Sequence, residues 1–306
     1  MIKKIKSGEN IDVSQVKILV YGQPGLGKTT LSFTSKNPLV LDFDGGAHRA
    51  GNHKVGEIWQ FESWNDVVEM MKNPTEIQGF DTIIIDTVGR CLDFLTAFLI
   101  NENPKNGNKN GNLSISGWGD LKATFSMWIK QLSIMGKDVI MIAHDKEKDE
   151  NDVRILRPDV SGGSYGEIVK QADFIGYMSM VGKSRTLDFN PTDRTIGKNS
   201  ACFPPLTIPS ILDEPNFMAV KIDEMKVKLS GMSEADLKVR QQVEDYKIQI
   251  AELTEPYQFD EIQSVTLPEL DEPIKTQVKN ILWKEAKKQG LDFDKNTSKF
   301  IIKKAV

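Results

Sequence analysis

Gly22-Gln23-Pro24-Gly25-Leu26-Gly27-Lys28-Thr29 follows directly on the apolar run Lys17–Tyr21, K-I-L-V-Y. The stretch meets G-x-x-x-x-G-K-[ST] at every fixed position, between a predicted strand and a predicted helix. Glycines let the backbone turn its N–H groups onto phosphate oxygens, and a helix N-terminus adds a favourable dipole. In such a loop Lys28 reaches the β- and γ-phosphates, and the Thr29 hydroxyl is placed to ligate Mg²⁺. The expected cradle is Gly22, Gln23, Pro24, Gly25, Leu26, Gly27, Lys28, Thr29 and the next residue, Thr30.

The rest of the first two-thirds fits around this loop. Pro38–Phe43 and Glu57–Phe61 read as strands, and Ser63 as the N-cap of a helix over Trp64–Lys72. Asp81–Asp86 (D-T-I-I-I-D) and Asp138–Ala143 (D-V-I-M-I-A) are continuous apolar runs, as expected of strands buried on both faces. Helices are predicted from the glycine loop to about Ser35, over Val88–Glu102 and over Asp120–Met135. Asn103–Gly117 and Asp145–Arg157 read as loops, the first rich in turn formers and the second charged. Ser161-Gly162-Gly163-Ser164 is a further break, and Asp173–Val181 with Arg185–Phe189 reads as a hairpin. Alternating strands and helices point to an α/β domain with a mainly parallel sheet.

Three acids and a histidine complete the expected site. Asp86 ends a buried strand, where it either holds Mg²⁺ with Thr29 or caps the next helix. Asp42 and Asp44 share one face of their strand, and Asp44 lies just beyond its end. Asp44 is the candidate base for an attacking water, or else serves the turn with Gly45-Gly46. His144 ends Asp138–Ala143 and is placed to sense a γ-phosphate. His48 and His53 lack further ligands, so no metal is expected there.

The prolines 204, 205, 209 and 215 suggest a division into residues 1–16, 17–210 and 211–306. The last region is expected to be smaller and mainly helical, with a charged helix over Ser233–Leu253. Residues 251–273 carry seven acids and no Lys or Arg, whereas 274–306 carry nine lysines and three acids. The lysines either track phosphates or pair with the acidic stretch. Cys91 and Cys202 are the only cysteines, which argues against a disulfide framework and for a reducing cytoplasm. No run of 18 apolar residues marks a membrane span, and Met1–Lys6 is basic without an apolar segment after it. A net charge of −4 argues against indiscriminate DNA binding by the whole surface.

In their order along the chain, Walker A, L-D-F-D-G-G-A-H-R over 41–49, T-I-I-I-D over 82–86, and V-I-M-I-A-H over 139–144 resemble the RecA-like ATPase core. With R-P-D-V-S-G-G over 157–163, they look more narrowly like the Sak-type RecA-like proteins encoded by phages. The resemblance covers roughly residues 15–203. It implies ATP and Mg²⁺ as cofactors, hydrolysis with Lys28, Asp44, Asp86 and His144 in the site, and single-stranded DNA as partner. The setting it implies is recombination or annealing in the host cytoplasm, with self-association into an oligomer or filament. A single-strand-binding or other recombination protein is a further expected partner, and no membrane is. Asp44 stands where relatives carry a glutamate, one methylene longer. An arginine finger from a neighbouring subunit is sought among Arg185, Arg194 and Lys198, with Arg194 the choice. DNA contacts are sought at Lys105, Lys109, Arg154 and Arg157, with Lys146 and Lys148 in the same charged stretch and Trp118 and Tyr165 as stacking candidates. Two rivals to the recombination reading are a nucleotide-gated switch or loader acting on a protein, and a small-molecule kinase. The kinase ranks last because the charged stretch offers only Arg154 and Arg157 for a lid.

Overall fold

Strand β1 (Lys17–Gly22) is buried from its second residue on. It feeds the glycine loop and then helix α1 (Lys28–Ser32). The computed structural model describes residues 11–53, 56–150, 153–160, 164–231, 234–294 and 297–302. Within these follow β2 (Pro38–Asp42), a 3₁₀ segment (Ala47–His53), β3 (Glu57–Gln60), α2 (Trp64–Lys72), β4 (Thr82–Asp86) and α3 (Val88–Glu102). Next come α4 (Ile115–Ile134), β5 (Asp138–Glu150), β6 (Val153–Pro158), α5 (Ser164–Gln171), β7 (Phe174–Val181) and β8 (Ser184–Asp188). Short strands β9 (Lys198–Asn199) and β10 (Leu206–Ile208) precede α6 (Phe217–Ser230).

The sheet runs β10-β8-β7-β1-β5-β4-β2-β3, with parallel pairing from β7 through to β3. Period-2 alternation divides its side chains between two cores. Leu19, Leu41, Ile83, Ile85 and Met141 face α2, α3, α4 and α5, while Ile18, Val20, Ile84, Ile140 and Ile142 face α1 and α6. This is the expected α/β architecture, a mainly parallel sheet between helices. Strand order matters for function, because β1, β2 and β4 deliver their C-terminal ends, and β5 its mid-strand His144, to one side of the sheet.

Local expectations fail at three places. Helix α1 stops at Ser32 rather than Ser35, because the hydroxyls of Thr34 and Ser35 donate to Leu31 O (2.6 Å) and Ser32 O (2.7 Å). Such bonds compete with the helical ladder. Helix α4 starts at Ile115, within the expected loop, because Ser114 caps it by accepting from Gly117 N at 3.2 Å. The charged loop 145–157 is a β-ribbon, with Lys146 opposite Arg157 and Asp149 opposite Arg154. Alternation sends Lys146, Lys148 and Arg157 to one face and Asp145, Glu147, Asp149 and Arg154 to the other. Of the Ser161–Ser164 break, residues 161–163 lie outside the described residues.

The first compact unit extends to Ser230, not Ser210, so α6 belongs to it. The N-terminal part of α6 is held by Thr34, whose Oγ1 accepts from Met218 N at 2.9 Å and whose carbonyl accepts from Ala219 N at 3.0 Å. Further along, Lys226 Nζ lies 2.6 Å from the buried Asp138 carboxylate at the start of β5. That carboxylate also accepts from Val16 N, so the expected extension 1–16 is anchored at its end. Burial, opposed by Lys226, holds the Asp138 carboxyl above its usual range. Removing one member of a buried pair costs about 3–5 kcal/mol. A fragment ending at residue 210 is therefore expected to aggregate, whereas one ending at residue 230 stays soluble with a cooperative melt. Equal solubility and equal melting of the two fragments in parallel purifications would refute this boundary.

The second unit, from Gly231, contains α7 (Glu234–Ala251), α8 (Pro256–Glu261), a π turn (Ile262–Thr266), α9 (Leu267–Glu269) and α10 (Glu272–Lys288). It also holds an antiparallel pair, β11 (Leu291–Asp294) and β12 (Lys299–Ile302), that periodicity did not indicate. Among the described residues, Glu272 is the one member of its acidic stretch that pairs with a lysine of α10. Among the described residues the pairs are local, Glu272 with Lys275 (3.8 Å) and Glu285 with Lys288 (3.2 Å). Lys295, Lys303 and Lys304 lie outside the described residues, as do Met1–Lys6 and Ser233.

Candidate nucleotide-binding site

A cleft of about 460 Å³ opens at the strand ends, lined by Pro24, Gly25, Gly27, Lys28, Thr29 and Thr30 of the loop and by Asp44, Asp86 and His144. Four strands that are distant in sequence meet there. Gly22 of β1 lies in register with His144 of β5 and Met178 of β7. Asp42 of β2 lies in register with Asp86 of β4.

Gly27 adopts φ 86°, a left-handed conformation that side chains other than glycine resist. Lys28 is buried, and its ammonium donates to Gly22 O (2.7 Å) and Gln23 O (2.8 Å). The amine thus folds back across the mouth of its own loop, where phosphate oxygens are the natural replacement for those carbonyls. Burial pulls its pKa below the usual lysine value, opposed by Asp145 and Asp86.

Thr29 Oγ1 donates to Asp86 Oδ2 at 2.6 Å. The helix that follows is capped not by Asp86 but by Thr87, whose hydroxyl accepts from Arg90 N at 3.5 Å. The alternative capping role for Asp86 is therefore taken by its neighbour. Burial pushes the Asp86 carboxyl up to about 6, with Asp44 and Asp42 adding to the rise and Thr29 and Lys28 opposing it. A hydroxyl and a carboxylate touching beside a phosphate loop suit Mg²⁺, which takes one or two protein oxygens and completes its shell with water and phosphate. Among the described residues no cluster of three or more His, Cys, Asp or Glu forms a separate metal cage.

Asp42 and Asp44 divide the work at the end of β2. The buried Asp42 carboxylate accepts from Gly46 N (3.0 Å) and Ala47 N (3.1 Å), which fixes the 42–47 turn. Asp44 accepts from Gly46 N at 2.8 Å while its side chain also lines the cleft. Asp44 thus serves the turn and lines the cleft at the same time. The buried Nδ1 of His144 has no hydrogen-bond partner. Burial and then Lys28 lower its pKa, so the ring is held neutral.

The other candidates scatter. Arg194 is exposed on a turn and does not line the cleft of its own chain; its carbonyl accepts from Leu156 N at the ribbon (2.7 Å). Lys198 Nζ is tied to the carbonyls of Ala172 and Val169. Arg185 packs against the glycine loop of its own chain, with Nη1 2.8 Å from where a Gly27 Cβ would stand, and donates to Pro209 O at 3.3 Å. Sequence reading held Arg185 only as a finger for a neighbour, because nothing local signals that β8 passes the loop. Arg154 and Arg157 occupy opposite faces of the ribbon. Arg154 pairs with Glu147 (3.7 Å) and Asp149 (3.8 Å), and Arg157 covers the Tyr165 ring at 5.1 Å. Lys105 and Lys109 are exposed beyond α3, and Trp118 packs on the sheet core.

A family model for the AAA domain matches residues 14–201, more than half of the chain. The chain is 27% identical over 195 residues to the SPbeta prophage-derived uncharacterized protein YorG of Bacillus subtilis (strain 168), an alignment covering 60% of this chain. It spans about half of that relative, 54% of its length. The KaiC-like protein PH0186 from Pyrococcus horikoshii OT3 superposes with a TM-score of 0.33 and 12% identity, covering 61% of this chain and 87% of that one. The matched segment contains the glycine loop, the Thr29–Asp86 pair, Asp44 and His144, and the chain belongs to the AAA domain family.

Proposed function

We propose that this protein binds Mg-ATP, hydrolyses it, and acts on single-stranded DNA in phage-type recombination or annealing. One observation carries the nucleotide part: Lys28, the Thr29–Asp86 pair, Asp44 and His144 line one cleft around the phosphate loop. Asp86 and Thr29 would hold Mg²⁺, which when bound offsets phosphate charge. Asp44 would orient the attacking water, and His144, which lines the cleft, would hydrogen-bond a γ-phosphate oxygen. Arg194, exposed and outside its own cleft, would reach a neighbouring copy in an oligomer. A charge-stabilising arginine supplied in this way is worth about 10³–10⁵ in rate. The DNA part is supported by the resemblance of the core and by the prophage origin of a relative, and a protein acting in this way would work in the host cytoplasm. No helix among the described residues is long and apolar enough to cross a membrane.

A second reading is a nucleotide-gated switch that acts on a protein partner with little turnover. The bond from Gly46 N to Asp44 Oδ1 favours it, because it occupies part of a carboxylate already one methylene short. The deciding experiment is ATP turnover with and without single-stranded DNA, beside Lys28→Ala. The recombination reading expects stimulation by DNA, lost in the variant. Tight ATP binding with turnover indifferent to DNA would replace that reading with the switch.

A further inference from the structure

The second unit lies outside the segment that the family match covers, and it carries a surface of its own. Helix α10 buries Ile274, Val278, Leu282 and Ala286, a row at i, i+4 spacing. One residue on, the adjacent row is Lys275, Lys279, Trp283 and Lys287, three cations and one large aromatic. Each step along such a row rises about 6 Å. Lys279 and Lys287 are exposed and have no carboxylate partner among the described residues, and Lys275 has only the loose contact with Glu272 at 3.8 Å.

Trp283 is packed and hydrogen-bonded on one side. Its ring lies 5.1 Å from Phe293 and 6.0 Å from Phe300, and its Nε1 donates to Gln263 Oε1 at 3.1 Å. Yet 39% of it remains exposed, and Lys279 Nζ stands 5.8 Å from the ring centre. A solvated helix face would intersperse both signs along such a row. Here cations flank a packed, half-open ring, the combination that holds an unpaired strand by its phosphates and a stacked base.

We propose that the Lys275–Lys279–Trp283–Lys287 stripe is a binding site for single-stranded nucleic acid. It shares its ligand class with the recombination reading but needs neither nucleotide nor the phosphate loop. The test is fluorescence anisotropy of the full-length protein with labelled oligothymidylate about 20 nucleotides long, longer than a single compact site. Nucleotide and Mg²⁺ are omitted.

Lys279→Gln/Lys287→Gln is expected to weaken binding about tenfold and to reduce the salt slope by roughly 1.4, about 0.7 for each lysine lost. Trp283→Ala is expected to lose about tenfold, and Trp283→Phe much less, because a ring remains. Both lysines are exposed, so the double variant tests the site even where Trp283→Ala unfolds the unit. The proposal is overturned if the wild type does not bind the oligonucleotide at about 50 mM salt. Unchanged affinity and slope in the double variant overturn it too, as does equal affinity for duplex of the same length. Basal ATP turnover of the double variant is expected to match wild type, so failure here leaves the nucleotide reading standing.

Discussion

Asp86→Asn is expected to abolish Mg-nucleotide turnover while raising the melting temperature of the nucleotide-free protein. Asp86 is 4% exposed, and burial pushes its carboxyl up to about 6, from an ordinary 3.8. A group whose folded pKa is raised contributes stability that is present below the unfolded value and is lost as pH rises through the folded one. At pH 7 the wild type therefore carries a buried charge whose cost is about 3 kcal/mol by the size of that shift. Asparagine has the same shape, and its carbonyl oxygen still accepts from Thr29 Oγ1. It removes the charge, and a gain of about 2 kcal/mol is expected, or about 4–8 °C for a unit of this size.

The gain should grow between pH 4 and 6 and level off above, the window set by the two pKa values. Turnover is expected to fall at least about a hundredfold, since a metal's charge stabilisation is worth several kcal/mol. With Mg-ATP present the order should reverse, because ligand binding stabilises only the protein that retains the site. Thermal scans at pH 4.5 and 7 with and without Mg-ATP measure this. An Asn variant less stable than wild type at pH 7 would show that Asp86 is held for packing.

Gly22→Ala is expected to cost about 3 kcal/mol or more and to destroy nucleotide binding. A Cβ on Gly22 would stand 2.2 Å from the carbonyl oxygen of Met178 and 3.2 Å from its carbon. The obstacle is backbone of the neighbouring strand, in register with Gly22, so no rotamer change relieves it. β1 and β7 must separate where β1 hands over to the phosphate loop, and Lys28 loses the carbonyl of Gly22 as its anchor. Gly25→Ala is the control: nothing lies within 4 Å of the added Cβ, although its φ of 82° imposes some strain. Urea midpoints for the two variants, with fluorescent-nucleotide binding, separate packing from backbone strain. Equal losses would mean that the clash is not what matters.

The readable parts of this protein were those whose chemistry is contiguous. Residues 22–29 present a phosphate loop as one stretch of backbone, and Thr82–Asp86 is a buried strand with its acid at the end. The ribbon 145–158 was misread because its charge was weighed while its alternation of sign, itself a period of two, was not. The start of α4 is not legible because the turn formers of 103–117 suggest a loop, although Ser114 supplies the cap. The unit boundary was misplaced because prolines mark local breaks and say nothing of the Lys226–Asp138 pair, which joins residues 88 apart.

By itself, then, the sequence determined that a phosphate-loop motif sits in an α/β domain beside a buried strand that ends in a carboxylate. Tertiary structure alone decided that Asp44, Asp86 and His144 share the cleft of Lys28, that Arg185 packs on the loop of its own chain while Arg194 lies outside that cleft, and that α6 completes the first unit. The physical reason is range. Helix and strand periods and a phosphate loop are set by neighbours within a few residues. Which strand pairs with which, and in what register, is set by hydrogen bonds and burial between segments that no local pattern connects.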